Sequence, residues 1–239
     1  MNRFGFFRVC AATPEIKVAD VWYNAKNIAA AAKAAAENGA QLVVFPELCL
    51  TGYTCGDLFN QRALITASDE AVSYLAENLP QGVLVFVGAP AEVGGRLYNC
   101  ALVFNGGRLV AAVPKSFIPN YGEFYERRHF SPARDGMASA KIAGYSVPFG
   151  TDIIFSDQSM PLFTVSAEIC EDLWIPMSPS VRHALAGANI IVNLSCSDEI
   201  AGKAEYRRNL VKMQSSKLMC GYIYCDSGNG ESTTDMVFA

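Results

Sequence analysis

Short apolar runs that break off at one reactive side chain recur along this chain. Gln41-Leu42-Val43-Val44-Phe45-Pro46 stops at Glu47, and Leu109-Val110-Ala111-Ala112-Val113-Pro114 stops at Lys115. A third run, from Leu162 to Ile169, stops at Cys170 and is followed at once by Glu171 and Asp172. Apolar runs of this length predict buried strands. A strand that ends on a polar group puts that group at the rim of a sheet, where reactive groups of α/β proteins gather.

The rest of the pattern alternates between strand and helix. Residues 4–12 read as a strand. Asp20 to Asn38 is Ala-rich, holds no Gly or Pro and is closed by Gly39, so it reads as a helix with a C-terminal glycine. A helix is predicted over 60–79, stopped by Pro80, and a strand over Val83 to Ala89. Leu97 to Phe104 and Arg108 to Val113 flank Asn105-Gly106-Gly107, a hairpin signal. Residues 116–136 form a long polar and aromatic loop, and such loops inside compact domains tend to be functional. Strands near 151–156 and 161–169, a helix near 178–187, a strand at 189–194, a helix near 203–219 and a strand at 222–226 complete the reading. No repeat or linker interrupts it, so a mixed α/β single domain is expected.

Composition narrows the function. The chain has 239 residues, 51% hydrophobic and 18% charged, enough for a full core. A net charge of -4 gives no electrostatic reason to expect nucleic acid or an anionic membrane surface as partner. No apolar run reaches membrane-spanning length, and Arg8 interrupts the first residues where a signal peptide would need an unbroken apolar stretch. The 8 Cys are scattered through apolar segments, which suits reduced thiols and a cytoplasmic location. No metal site is expected, because no Cys-x-x-Cys pair exists and the two His, His129 and His183, lie far apart.

A thiol, a carboxylate and an amine at three strand ends are the parts of acyl transfer through a thioester. Each has an ordinary reading as well. Free Cys is among the most buried residue types, an acid at a strand end often caps the next turn, and Lys is usually solvated. Cys170 differs from the other thiols in abutting a break from apolar strand to acidic turn.

The words around these residues carry a resemblance. Pro46-Glu47-Leu48-Cys49-Leu50-Thr51-Gly52-Tyr53, Pro114-Lys115-Ser116-Phe117-Ile118-Pro119-Asn120-Tyr121-Gly122-Glu123-Phe124 and Glu168-Ile169-Cys170-Glu171-Asp172-Leu173-Trp174 resemble the nitrilase, or carbon-nitrogen hydrolase, superfamily. Asn193-Leu194-Ser195, Ile200-Ala201-Gly202-Lys203, Glu205-Tyr206-Arg207-Arg208 and Gly230-Glu231-Ser232-Thr233-Thr234-Asp235 are similar to the glutaminase domain of glutamine-dependent NAD+ synthetases.

The resemblance implies a nitrilase-like four-layer αββα sandwich and hydrolysis of the L-glutamine side-chain amide. It implies Cys170 as nucleophile, activated by a nearby cation, Glu47 as general base and Lys115 as oxyanion donor. Glu123 matches a further acid and is expected to position Lys115 and the substrate. Tyr121, Ser197 and Lys203 match glutamine-contacting positions, with Glu171 and Tyr53 as further candidates. Lys203 departs from an Arg expected in some relatives, and Lys cannot make the bidentate fork to a carboxylate. No cofactor is implied for the glutaminase step. ATP and Mg2+ are implied for a synthetase domain, for which the sequence holds no Gly-x-x-x-x-Gly-Lys-[Ser/Thr] loop.

The resemblance further implies a domain that continues past Asp235. The chain is therefore expected to be C-terminally truncated, with Met236-Val237-Phe238 opening a strand, the synthetase domain absent and a homo-oligomer formed. Two rival readings stay open: a hydrolase of another small amide or nitrile, and a catalytically silent docking module.

Overall fold

The computed structural model describes residues 6–134 and 136–238, so residues 4 and 5 of the expected first strand lie outside the described residues. In chain order the elements begin with β1 (Val9–Ala11), α1 (Val21–Glu37), β2 (Leu42–Val44) and α2 (Arg62–Asn78). Next come β3 (Leu84–Val93), β4 (Arg96–Asn105), β5 (Arg108–Pro114), β6 (Ala138–Ile142) and β7 (Tyr145–Phe149). Then follow β8 (Phe155–Asp157), β9 (Met160–Ile169), α3 (Pro179–Leu185), β10 (Ile190–Leu194), α4 (Lys203–Leu218) and β11 (Gly221–Cys225).

The strands form two sheets. One has seven strands in the order β1-β2-β3-β4-β5-β7-β6, and the other has four in the order β11-β10-β9-β8. The side-chain period of two sorts residues between layers. Val43, Val85 and Val87 of the larger sheet pack with Ala25, Ile28, Leu75 and other residues of α1 and α2. Their neighbours Leu42, Val44, Leu84 and Phe86 face the other way, against Val165, Ala167, Ile169, Val192 and Leu194 of the smaller sheet. Ile191, on the far face of the smaller sheet, packs with Cys220 and Leu218 at the end of α4. The result is an αββα sandwich. Strands buried on both faces explain why β2 and β10 read as continuous apolar runs rather than alternating ones.

Local signals act where expected. Asp20 caps α1 by accepting the Tyr23 N–H at 3.1 Å. The β4–β5 hairpin turns through Gly106 and Gly107, both at positive φ. Two expectations fail. No element is predicted between the 116–136 loop and the strand near 151, but 138–149 forms the hairpin β6–β7. Its turn is Ala143-Gly144, both at positive φ, and its weak alternation of Ala, Ser and Lys hides the period. Residues 236–238 form no strand. They fold back instead: Glu199 N–H donates to Val237 O at 2.7 Å, and the buried Phe238 ring sits edge-on to Tyr53 at 6.3 Å.

Candidate active site

The ends of β2, β5, β9 and β10 meet at one rim. The chain leaves β2 and turns at Glu47, with Leu48 at φ +50°. This turn lies hard against β3: a Cβ on Gly88 would sit 2.2 Å from Pro46 O and 2.3 Å from Leu48 N. Only glycine fits there. Lys115 follows β5 directly, its N–H donating to Asn99 O at 2.8 Å. Cys170 follows β9 and opens a 3₁₀ turn, Cys170–Leu173, with its own φ at +44°. That left-handed conformation is disfavoured for a residue with a Cβ, and such strain gathers at functional sites.

Glu47 and Lys115 are fully buried and bonded to each other, Lys115 Nζ donating to Glu47 Oε1 at 2.6 Å. Asn99 Nδ2 donates to the same oxygen at 2.6 Å, and the Cys196 N–H donates to Oε2 at 3.0 Å. Lys115 Nζ makes a second bond, to Glu126 Oε1 at 2.7 Å. Glu126 is itself buried and accepts from Tyr53 OH at 2.7 Å and from Asn99 Nδ2 at 3.4 Å. A buried lysine between two carboxylates is no gain in stability over apolar packing. Such clusters mark functional sites.

Electrostatics assign the protons. Burial pushes the Glu47 carboxyl up to about 7, partly opposed by Lys115 and reinforced by Glu126. Burial alone would lower Lys115, but Glu126 and Glu47 outweigh it and hold the ammonium well above its ordinary value. Cys170 goes the other way from the expected activated thiolate. Burial and the Glu47 charge push its thiol well above the ordinary range, and Lys115 offsets only part of that. These surroundings favour the neutral thiol of Cys170 over the thiolate.

Cys170 opens onto a cavity of about 490 Å³ that Tyr121, Glu123, Phe124, Glu171, Trp174, Ser197, Lys203 and Tyr206 also line. Tyr121 OH donates to Glu171 Oε2 at 2.9 Å across its mouth. Burial raises the Glu171 carboxyl. Lys203, the first residue of α4, pairs with Asp198 and lies 5.5 Å from the Phe124 ring centre and 5.8 Å from that of Trp174. Trp174 and Tyr206 stack at 5.5 Å. Ser197 is buried, its N–H held by Asp226 Oδ1 at 2.8 Å. Among the described residues, no cluster of His, Cys, Asp or Glu is placed to hold a metal.

The sequence pattern of the carbon-nitrogen hydrolase family matches residues 8–220. The chain belongs to the carbon-nitrogen hydrolase family. The glutamine-dependent NAD(+) synthetase of Mycobacterium tuberculosis H37Rv is 42% identical to this hydrolase over 238 residues, which is 98% of this chain and 35% of that protein. The synthetase of the same name from Thermotoga maritima is 29% identical over 97% of this chain and 37% of its own length. The chain thus spans about a third of the length of these relatives. Among solved structures, a glutamine-dependent NAD(+) synthetase from Cytophaga hutchinsonii superposes with a TM-score of 0.85 at 28% identity, over 97% of this chain and 37% of that one. An amidase from Nesterenkonia sp. superposes with a TM-score of 0.73 at 19% identity, over 98% of this chain and 82% of that one, a likeness of fold alone.

Within this hydrolase the structure brings Glu47, Lys115 and Cys170 to one rim, and gathers Tyr121, Ser197, Lys203 and Glu171 at one cavity. Two expectations need correction. Glu123 is exposed and makes no bond to Lys115; that contact belongs to Glu126, three residues on and turned inward. Tyr53 does not line the Cys170 cavity. Its hydroxyl holds Glu126 and its N–H donates to Glu231 Oε1 at 2.7 Å, so it supports the lysine from behind. The sequence reading also passed over Asn99, which bonds both carboxylates. Asn193, which opens one of the motifs behind the family resemblance, has its role only in the structure, where its Oδ1 accepts the Cys170 N–H at 3.0 Å. Asn99 lies inside an apolar strand, where a lone buried amide is itself a signal.

Proposed function

We propose that this hydrolase domain cleaves the side-chain amide of L-glutamine through a thioester on Cys170. The Cys170 sulfur attacks the amide carbon while Glu47 takes the thiol proton. Lys115 has three N–H donors, of which two go to Glu47 and Glu126. The third is left for the oxyanion of the tetrahedral species. Glu47 returns the proton to the nitrogen as ammonia leaves. Water, deprotonated by Glu47, then attacks the thioester carbon, and the proton passes to the departing sulfur. Glutamate is released and the thiol restored, with no cofactor in any step.

The observation that carries the reading is the buried Glu47–Lys115 pair, bonded at 2.6 Å, at the same rim as Cys170; burial raising the Glu47 carboxyl to about 7 suits it to act as a base there. For the substrate, support comes from the cavity wall. Glu171 and Glu123 can meet an ammonium, while Tyr121, Ser197 and Lys203 can meet a carboxylate. Support for the biological role comes from the match to whole NAD synthetases. In that role the ammonia passes to a synthetase domain that uses ATP and Mg2+ to make NAD+ from its deamido precursor. Two further parts complete the proposal. One is a cytoplasmic location, suited by eight free thiols. The other is a homo-oligomer, suited by the sheet-edge strand β11 with Tyr222, Ile223 and Tyr224 only half-buried.

Ammonia release from glutamine, asparagine and a simple nitrile tests the reading. Glutamine should be preferred at least tenfold in kcat/KM. Equal rates on all three would make the protein a general small-amide hydrolase.

A further inference from the structure

The reacting groups stand on different sheets. Glu47 and Lys115 end strands of the seven-stranded sheet, and Cys170 ends a strand of the four-stranded one. The spacing between nucleophile and partners therefore depends on what joins the strand ends. On the Glu47 side two hydrogen bonds do so: Cys196 N–H to the carboxylate Oε2 of Glu47 at 3.0 Å, and the backbone Glu47 N–H to Ser195 O at 3.3 Å.

On the Lys115 side the join is one carboxylate. Asp172 lies in the same 3₁₀ turn as Cys170 and is 1% exposed. Its Oδ1 accepts the N–H of Phe117 at 2.8 Å and that of Ser116 at 3.1 Å, the two residues after Lys115. Its Oδ2 accepts the N–H of Ile169, the residue before Cys170, at 3.0 Å. The side chain thus spans both sheets and flanks both reacting residues, yet it does not line the cavity. It also closes the turn that keeps Cys170 at φ +44°, a conformation the residue would otherwise leave. Burial pushes the Asp172 carboxyl up to about 7, an unfavourable setting for a group whose task is only to cap a turn.

We propose that Asp172 is a positioning residue, its carboxylate clasping the ends of β9 and β5 so that the Cys170 thiol is held against Lys115 and Glu47. This inference rests on the thioester reading and deepens it. The clasp acts on geometry, so its loss should slow acylation while leaving the cavity that reads the substrate in place. Misplacement by about 1 Å is enough for a loss on the order of 10²-fold.

The test is Asp172→Asn in the full-length protein. The amide keeps the shape but turns an NH2 toward one of the three N–H donors. The expected result is a kcat for glutamine lower by about 10²-fold, with KM unchanged within about threefold. Alkylation of Cys170 by iodoacetamide should slow by at least tenfold. A lower melting temperature with kcat, KM and alkylation rate all unchanged would overturn the inference and leave Asp172 as fold support. Should Asp172→Asn fail to fold, Asp172→Glu keeps the charge but shifts the clasp, and the same split is expected. Amide exchange in the unaltered protein gives an independent check. The Phe117 and Ile169 N–H groups should exchange as slowly as those inside β5 and β9, and rapid exchange at both would overturn the clasp. If the unaltered protein releases no ammonia from glutamine, the glutaminase reading fails, while the alkylation comparison still decides the role of Asp172.

Discussion

Lys115 Nζ lies 2.6 Å from Glu47 Oε1, with neither side chain exposed to solvent. The pair couples the base to the cation, so the affinity of Glu47 for a proton depends on the Lys115 charge. Near neutral pH the Glu47 carboxyl is poised to titrate while Lys115 stays charged. A base that can take a proton and a cation that cannot lose one are what attack by a neutral thiol requires.

Lys115→Met should abolish most activity. On the proposed mechanism it removes the oxyanion donor, worth about 10²–10³ in kcat for a single donor, and it leaves Glu47 and Glu126 buried without a counter-charge. Removing one partner of a buried pair costs roughly 3–5 kcal/mol when the other stays charged. Ammonia release and thermal melts on the variant check both effects. Turnover within threefold of the unaltered protein would remove Lys115 from the mechanism.

Glu126→Gln and Glu123→Gln should differ sharply. The first weakens the grip on Lys115 and should lower kcat by at least tenfold. The second changes an exposed side chain and should leave kcat within about threefold, with any effect confined to KM. Parallel steady-state kinetics on the two variants decide which acid serves the lysine.

The contrast between these two acids shows what the sequence makes legible. Glu47, Lys115 and Cys170 each end an apolar run, so burial up to the residue and a break after it announce the rim. Glu126 has no such signal. It sits in the 116–136 loop among Tyr125, Arg127 and Arg128, and a 3₁₀ turn from Glu126 to Arg128 alone turns it inward. Asp172 stands in the open as an acid after the cysteine, but its three donors come from residues 169, 116 and 117, on two sheets. Pairing of that kind depends on topology. Element alternation makes a mixed α/β domain legible and the family resemblance implies the order of layers, whereas the β6–β7 hairpin, built from Ala, Ser and Lys around Ala143-Gly144, carries no such signal.

Activity and stability should respond to pH in opposite directions. Glu47 must be ionised to accept the thiol proton and Asp172 to clasp both strand ends, so kcat/KM should rise with pH along a limb near 7 to which both carboxyls contribute. Glu47 and Asp172 are both pushed up to about 7 in the folded protein by burial. Unfolded carboxyls titrate near 4. Between about pH 4 and 7 the folded state therefore holds protons that the unfolded state has released, and stability falls as pH rises through that window. Melting temperatures should be higher at pH 5.5 than at pH 7.5. A flat rate profile from pH 5.5 to 8 would exclude Glu47 as the titrating base.

Gly88→Ala should act on catalysis through the backbone. The added methyl would lie 2.2 Å from Pro46 O, so the turn that carries Glu47 has to move. Loss of about 10²-fold in kcat is expected, together with roughly 1–3 kcal/mol of destabilisation from overpacking. Melts and turnover measured together check this. Full activity in the variant would show that the turn yields without moving Glu47.

The proposed thioester places one covalent demand on the molecule, and a single measurement reads it. The protein is incubated with an electrophilic analogue of glutamine, digested and mapped by mass spectrometry across its eight cysteines. The account predicts one adduct, on the peptide containing Cys170, formed quickly, suppressed by excess glutamine and lost in Glu47→Gln. Adducts spread over Cys49, Cys55 and Cys170, or a Cys170 that stays unmodified while glutamine is turned over, would contradict it.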